Sequence, residues 1–303
     1  MKILVTGGAG FIGSHTVEKL LAEGHDVTVL DNFSSGIREN LPHVANLSIV
    51  NGDVRDRELA RALLKRMDAV LHLAAQVSVS ASIGDPVASN EHNVLGFVNI
   101  LDSSFRAGVK RFVYASSAAV YGVPKELPLN EHSPIDAISP YGLEKLIDDQ
   151  YAELYRSLYN YSTFGLRYFN VYGPRQDASS PYAGVISKFV SAIKHGQPLT
   201  ILGDGKQTRD FIFVDDIATI NVMALKGFNT GICNVGSGKS VTLLKMISVL
   251  AQVSGLSPKM IFESAVAGDI RSSSMNPLRL HETFEGIELT PLAEGLQELW
   301  RAG

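Results

Sequence analysis

The chain has 303 residues, 45% of them hydrophobic and 19% charged, a composition that excludes both a disordered chain and a small stapled scaffold. Its 27 basic and 31 acidic residues give a net charge of −4 with no basic run to follow a phosphate backbone, so nucleic acid is not an expected partner. Cys233, the single cysteine, cannot form an internal disulfide and reads as a buried small hydrophobe, which fits a cytoplasmic setting. No apolar stretch approaches the ~20 residues that span a bilayer, and Ile3-Leu4-Val5 is too short for a signal-peptide core, so neither membrane nor export is expected.

In chain order, Lys2 to Thr6 reads as a strand, Phe11 to Glu23 as a helix stopped at Gly24, and Asp26 to Leu30 as a second strand. Leu47 to Val50, Ala69 to Ala74 and Lys110 to Ser116 continue as strands, separated by helical patterns at Arg55 to Arg66 and Asp85 to Gly108. Ser139-Pro140 opens a helix through Tyr159, and Tyr161 to Phe169 returns to strand. Apolar runs of this kind suit strands buried on both faces. The fold class is α/β: a Rossmann-type doubly wound parallel sheet over residues 1–169, rejoined by about 210–235, with a smaller C-terminal α/β substrate-binding lobe over 170–303. Turn-rich segments at Gly173-Pro174, Gly203-Asp204-Gly205 and Gly236-Ser237-Gly238 mark that lobe, and Thr290-Pro291 opens its last helix.

Thr6-Gly7-Gly8-Ala9-Gly10-Phe11-Ile12-Gly13 contains G-x-G-x-x-G after a strand and at the start of a helix, inside a βαβ unit. There Gly7, Gly10 and Gly13 let backbone N–H groups approach a pyrophosphate at the helix's positive end. Asp31 ends the second strand, where a carboxylate accepts bonds from the adenosine ribose hydroxyls and repels a 2′-phosphate. The expected cofactor is therefore NAD rather than NADP.

Tyr-x-x-x-Lys places both side chains on one helical face, and the chain contains it twice. Tyr121 to Lys125 carries Gly122 and Pro124, which break a helix, and reads as structural. Tyr141-Gly142-Leu143-Glu144-Lys145 lies in the first turns of the helix opened by Ser139-Pro140. A phenol acts as a base only once stabilised as phenolate, and bringing it within reach of neutral pH takes about 4 kcal/mol, which Lys145 and a bound NAD cation can supply. Ser117, at the carboxyl edge of its strand, is placed to share the moving proton. His72 reads as a core histidine, Asp215 and Asp216 as a helix N-terminus, and no metal spacing is present.

These segments, with Asp53-Val54, Leu73-Ala74-Ala75, Ser116-Ser117-Ala118-Ala119-Val120-Tyr121-Gly122 and Arg167-Tyr168-Phe169-Asn170-Val171-Tyr172-Gly173-Pro174-Arg175, resemble the extended short-chain dehydrogenase/reductase family. Within it the pattern is most like the UDP-sugar 4-epimerases of the epimerase/dehydratase group. The resemblance implies that Asp53 and Val54 flank the adenine, that Ala74 and Tyr168 face the ribose and nicotinamide, and that Lys145 holds the nicotinamide ribose. It also puts Phe11, Ile12, Asn32, Leu73, Ala75, Asn93, Ser116 and Tyr141 on the cofactor. Tyr141 would be the base that takes the proton of a sugar 4-hydroxyl while the C4 hydride passes to tightly held NAD and is returned to the other face. For the UDP-sugar it implies Ser78 and Ser117, Asn170 at the diphosphate, Val185, Ile186, Phe189, Thr200 and Leu202 around the uracil, and Arg209 as diphosphate clamp.

Relatives carry Arg-x-Gly-Asp before the last substrate loop, whereas this chain reads Val266-Ala267-Gly268-Asp269. Arg271 is the expected replacement. Ser273, four residues after Asp269, stands at the position that gates the sugar's C2 substituent and leaves room for an N-acetyl group. The 4,6-dehydratases need an Asp-Glu pair where this chain has Ala118-Ala119, which cannot move protons. UDP-glucuronate or another nucleotide sugar remains an alternative substrate, and an NAD-sensing protein without catalysis an alternative of another class. The resemblance also implies a homodimer through the helices at Asp85 to Gly108 and Ser139 to Tyr159.

Overall fold

The computed structural model describes residues 1–177, 184–265 and 270–302. β1 (Lys2–Thr6), α1 (Phe11–Ala22), β2 (Asp26–Asp31), β3 (Leu47–Asn51), α2 (Arg57–Leu64) and β4 (Ala69–His72) come first. They are followed by α3 (Val79–Gly84), α4 (Pro86–Asn90), α5 (Gly96–Arg106), β5 (Arg111–Ser117), α6 (Pro140–Tyr159) and β6 (Thr163–Tyr168). After these come β7 (Asn170–Tyr172), α7 (Val185–Lys194), β8 (Leu199–Leu202), β9 (Thr208–Phe213), α8 (Val214–Lys226) and β10 (Gly231–Val235). The chain closes with β11 (Ser240–Thr242), α9 (Leu243–Ser254), β12 (Met260–Glu263), α10 (Leu278–Thr283) and α11 (Leu292–Ala302).

Seven strands form one sheet in the order β3-β2-β1-β4-β5-β6-β10, and the first six pair in parallel. This is the Rossmann-like doubly wound arrangement, whose order reverses beside β1, and ligands bind outside the carboxyl ends of such strands. All four residues of β4 and all six of β6 are buried, as in strands covered on both faces; β4 is apolar up to His72, whereas β6 buries Thr163 and Arg167 among its apolar residues. One face is packed by Phe97, Phe112 and Tyr114, with the Phe97 and Tyr114 rings 5.1 Å apart edge to face.

Local chemistry sets where these helices start, and α2 is shorter than the helix expected over Arg55 to Arg66. The Asp56 carboxylate caps α2, accepting from Glu58 N and Leu59 N, and Asp85 caps α4 ahead of Pro86. The helix expected over Asp85 to Gly108 is three pieces, because residues Glu91–Leu95 form a π turn between α4 and α5. α3 precedes them where no helix was expected, capped by Ser78 Oγ.

The chain forms two compact units. The first comprises Met1–Gly122, Pro134–Tyr168 and Ile217–Cys233; the second comprises Val123–Ser133, Phe169–Asp216 and Asn234–Gly303. In the first, Arg111 reaches the return segment, donating from Nε to Ala224 O (3.0 Å) and from Nη1 to Asn229 O (2.6 Å). In the second, β7, β9 and β11 form one small sheet and β8 and β12 another. Buried Asp210 organises it, accepting from Ser237 N, Ser237 Oγ, Gly238 N and Met275 N.

Candidate active site

The glycine loop is shaped by close approach. Gly7 has φ +69°, and a Cβ there would lie 2.8 Å from Ala74 N. A Cβ on Gly13 would lie 2.1 Å from Gly7 O and 2.7 Å from Gly8 Cα, so the first turn of α1 is pressed onto the loop. Gly10 caps α1 with no side-chain bond, and no acidic residue lies in the first turn, which leaves the positive end of the helix dipole uncompensated by this chain. Such a cradle of bare backbone fits a dinucleotide pyrophosphate, and a side chain at Gly7 or Gly13 would force its walls apart against Ala74 or the loop itself.

Asp31 is buried, with Oδ2 accepting from Ala9 N (2.9 Å) and Oδ1 from Phe33 N (2.9 Å), so its carboxylate is fixed between the glycine loop and the turn after β2. Asn32 Nδ2 donates to Asp53 Oδ2 (3.0 Å). The forked hydrogen bonds from Arg55 hold the Asp53 carboxyl well below the usual carboxylate range, so it stays charged. Val54 packs against Gly96 and its carbonyl accepts from Asn99 Nδ2 (2.6 Å). The Leu73-Ala74 turn is pinned by Thr6 Oγ1, which accepts from both amides at 3.2 Å. Asn93, in the π turn, is almost fully buried; it accepts from Gln76 N and donates to Gln76 O and to Glu144 Oε2 (2.6 Å). Its polar atoms are thus engaged inside the protein, where they brace the turn after β4. Tyr168 Oη likewise donates inward, to Asn221 Oδ1 (2.6 Å), and burial pushes its ionisation upward.

β5 ends in Ser116-Ser117, and Ser117 Oγ accepts from Ala119 N (3.1 Å). α6 starts beside it. Ser139 Oγ caps the helix by accepting from Gly142 N (3.1 Å), Pro140 occupies its first position, and Tyr141 N donates to Ser82 Oγ (3.1 Å). A Cβ on Gly142 would lie 2.7 Å from Ala119 O, so this glycine permits contact between α6 and the turn that carries Ser117. Tyr141 and Lys145 follow one helical turn apart.

Lys145 is buried, with Nζ 3.1 Å from Asp148 Oδ2. Burial opposes its charge, but the Asp148 carboxylate, with the oxygens of Tyr141 and Asp149 nearby, outweighs that and raises its pKa, so it stays an ammonium ion. Burial pushes Asp148 up to about 7 against the pull of Lys145. Asp149 accepts from Arg167 Nε (2.9 Å) and Tyr114 Oη (3.1 Å), and Arg167 Nη1 donates to Tyr121 Oη (2.8 Å). The Tyr121 of the second Tyr-x-x-x-Lys match thus serves the core. Glu144, inside the motif, accepts from Ser89 Oγ (2.8 Å) and Asn93.

Sequence reasoning missed Thr6, Glu144, Asp148 and Asp149. The signal was available for the last three: residues 144, 145, 148, 149 and 152 lie on one face of α6, and the positions that normally hold core aliphatics are charged.

In the second unit, Asn170 Nδ2 donates to Asp210 O (3.2 Å). On α7, Ile186 and Phe189 are buried and Val185 half-buried, whereas Thr200 and Leu202 lie on the exposed face of β8. Arg209 Nη1 donates to Ile270 O (2.6 Å). Thr208 draws the next segment alongside, donating to Arg271 O (3.0 Å) and accepting from Ser273 N (3.2 Å). Arg271 forks onto Asp204 at 2.6 and 2.8 Å in an exposed pair. Ser78 Oγ accepts from Ala81 N (3.0 Å) in the first unit. Asp269 and Val266 lie outside the described residues. Among the described residues there is no cluster of three or more metal-ligating side chains, and no helix is long and apolar enough to cross a membrane.

The model of the NAD dependent epimerase/dehydratase family matches residues 3–236. The chain belongs to this family. It is 42% identical over 270 residues to a protein of Methanocaldococcus jannaschii named putative UDP-glucose 4-epimerase, covering 88% of this chain and 87% of that one. Among solved structures, a UDP-N-acetylglucosamine 4-epimerase from Methanobrevibacter ruminantium in complex with UDP-N-acetylmuramic acid has a TM-score of 0.96 at 36% identity, covering 99% of this chain and 97% of that one. A UDP-glucose 4-epimerase from Thermus thermophilus in complex with NAD has a TM-score of 0.90 at 36% identity, covering 100% and 98%. The family is NAD-dependent, and the bare-backbone cradle from Gly7 to Gly13 fits that cofactor.

Proposed function

We propose that this protein is a UDP-hexose 4-epimerase acting on UDP-glucose and UDP-galactose and on their N-acetylated counterparts. The observation that carries the reading is the meeting of Ser117, at the carboxyl edge of β5, with the α6 turn bearing Tyr141 and Lys145, followed by Ala118-Ala119 rather than a carboxylate pair. Dehydration needs an acid at that point and epimerisation does not.

When bound, NAD supplies the hydride acceptor and donor at the sugar's C4. The chain's own residues manage the proton. Tyr141 takes it from the 4-hydroxyl as a phenolate, whose stabilisation comes from the buried Lys145 ammonium one turn away. Ser117 Oγ already accepts from Ala119 N, so its own proton is free to bond the oxygen that is changing charge. When the resulting 4-keto sugar is reduced on its other face, Tyr141 returns the proton.

In the second unit, Asn170 and Arg209 bind the diphosphate, and Val185, Ile186, Phe189, Thr200 and Leu202 bind the uracil. Arg271 serves the diphosphate after leaving Asp204; the pair is exposed and screened by solvent, so parting it costs little. Asp269 would join this site. Ser273, small and half-buried, leaves room for the N-acetyl group. The first unit binds NAD, and the protein is a homodimer through α4, the π turn, α5 and α6, where Val87, Leu95, Leu143 and Leu158 are each more than half exposed.

An NMR time course with UDP-galactose, UDP-N-acetylgalactosamine and UDP-glucuronate tests the reading. The first two should convert to their 4-epimers. Conversion of UDP-glucuronate alone would favour the alternative substrate, and no conversion of any would reject catalysis in favour of an NAD sensor. Tyr141→Phe should stop turnover with NAD still bound, and Ser273→Tyr should abolish turnover of the N-acetylated pair selectively.

A further inference from the structure

α6 turns a charged face inward. Glu144, Lys145, Asp148 and Asp149 lie on it, and none is more than 5% exposed. Three carboxyl groups therefore share the interior with two cations, Lys145 and Arg167. Arg167 is committed to Asp149 and Tyr121, and Glu144 is satisfied by Ser89 and Asn93. Asp148 has Lys145 alone. Its Oδ2 bonds Nζ at 3.1 Å, while Oδ1, equally buried, has no hydrogen-bond partner among the described residues.

An ionised carboxylate with one bare oxygen in the interior is costly. A proton on Oδ1 removes the charge and leaves the bond to Lys145 intact. The groups around Asp148 are Glu144, Lys145 and Asp149 on its own helix, Tyr114 of β5, and Arg167 of β6 acting through Asp149, while the neutral His72 of β4 faces Lys145.

We propose that Asp148 is a positioning residue for the reaction: its buried carboxyl holds the Lys145 ammonium in place and, by gaining or losing one proton, sets how strongly Lys145 stabilises the Tyr141 phenolate. With Asp148 ionised, the Lys145–Asp148 pair is nearly neutral and attracts the phenolate weakly. With Asp148 protonated, the full positive charge of Lys145 acts on Tyr141. Acidification would by itself quench the base. Here it also neutralises Asp148 and so draws the Tyr141 ionisation downward, and the base keeps working further below neutrality than a phenol beside a fixed ion pair. Burial places the Asp148 transition near neutrality, at about pH 7.

The inference rests on Tyr141 and Lys145 being the working pair of the proposed epimerase. Its test is an ultraviolet tyrosinate titration of the NAD-loaded protein, with the Tyr141→Phe protein subtracted. Asp148→Asn should lower the Tyr141 ionisation above neutral pH by about one pH unit, and Asp148→Glu should leave it close to the parent. An unmoved or raised ionisation in Asp148→Asn overturns the inference. Should that variant not fold, the carboxyl carbons of 13C-aspartate in the parent protein should include a resonance titrating near pH 7 that disappears in Asp148→Glu, and its absence overturns the inference equally. Turnover of UDP-galactose is read separately. A shifted titration without turnover upholds the coupling and rejects the epimerase reading, and turnover with an unmoved titration rejects the coupling alone.

Discussion

Replacing His72 by Asn should change how the stability of the protein depends on pH. His72 ends β4 at 1% exposure, its ring 5.5 Å from Phe97 and 6.2 Å from Phe112, with Nδ1 2.9 Å from Thr6 Oγ1. Because Thr6 Oγ1 already accepts two amides, its own proton goes to Nδ1, which assigns the imidazole proton to Nε2. Burial, helped by the charge of Lys145, lowers the His72 pKa from 6.5 to about 3. A base whose folded pKa is depressed binds fewer protons folded than unfolded below 6.5, so its contribution to stability falls as the pH drops through that value. At pH 5 the unfolded imidazole is protonated about thirty-fold over neutral while the folded one stays neutral, a cost of about 2 kcal/mol. His72→Asn keeps an acceptor for Thr6 without this liability. Urea unfolding at pH 7.5 should show the variant less stable by about 2–3 kcal/mol from lost packing, and at pH 5 that gap should close by about 2 kcal/mol. Asp148 carries the opposite sign, penalising the folded state above neutrality and relieved on acidification, but it is common to both proteins and cancels. A gap of equal size at the two pH values would refute the argument.

Gly13→Ala forces a Cβ to within 2.1 Å of Gly7 O, and the purified protein should contain at least about ten-fold less NAD, read by absorbance after denaturation. Gly142→Ala improves helix propensity by about 1 kcal/mol yet collides with Ala119 O; kcat should fall about ten-fold or more with NAD content unchanged, and a more stable, fully active variant would contradict that. Asp204→Ala releases Arg271 from an exposed, solvent-screened pair, so the urea midpoint should stay where it is while KM for the UDP-sugar falls. A rise in KM would show that Asp204 holds Arg271 where it is needed.

How much of this could be read from the chain differs by element. β1, β4 and β5 were legible because strands buried on both faces carry apolar runs, Ile3-Leu4-Val5, Ala69-Val70-Leu71 and Phe112-Val113-Tyr114, and the glycine loop because its spacing falls between a strand and a helix. The Tyr141–Lys145 pair could be chosen over Tyr121–Lys125 because Gly122 and Pro124 bar a helix. The π turn was not legible, since an added residue leaves apolar spacing nearly unchanged over one turn. Nor were the braces: Asn93 and Tyr168 sit in cofactor motifs, yet their side chains bond inward to Glu144 and Asn221. Composition and spacing say which face a residue lies on, whereas a hydrogen-bond partner some fifty positions away depends on tertiary packing.

The π turn at Glu91–Leu95 also constrains how this chain can vary. A π turn takes up one residue more than regular α geometry, so loss of a single codon there would restore the α geometry and leave α4 and α5 facing as they do. What the extra residue does is aim Asn93, and a deletion that removed or re-aimed that side chain would untie α6 and the turn after β4 in one event. The helix could lose the extra residue without losing its register, so the π turn is held in place by the two ties of one asparagine and not by the packing of α4 and α5.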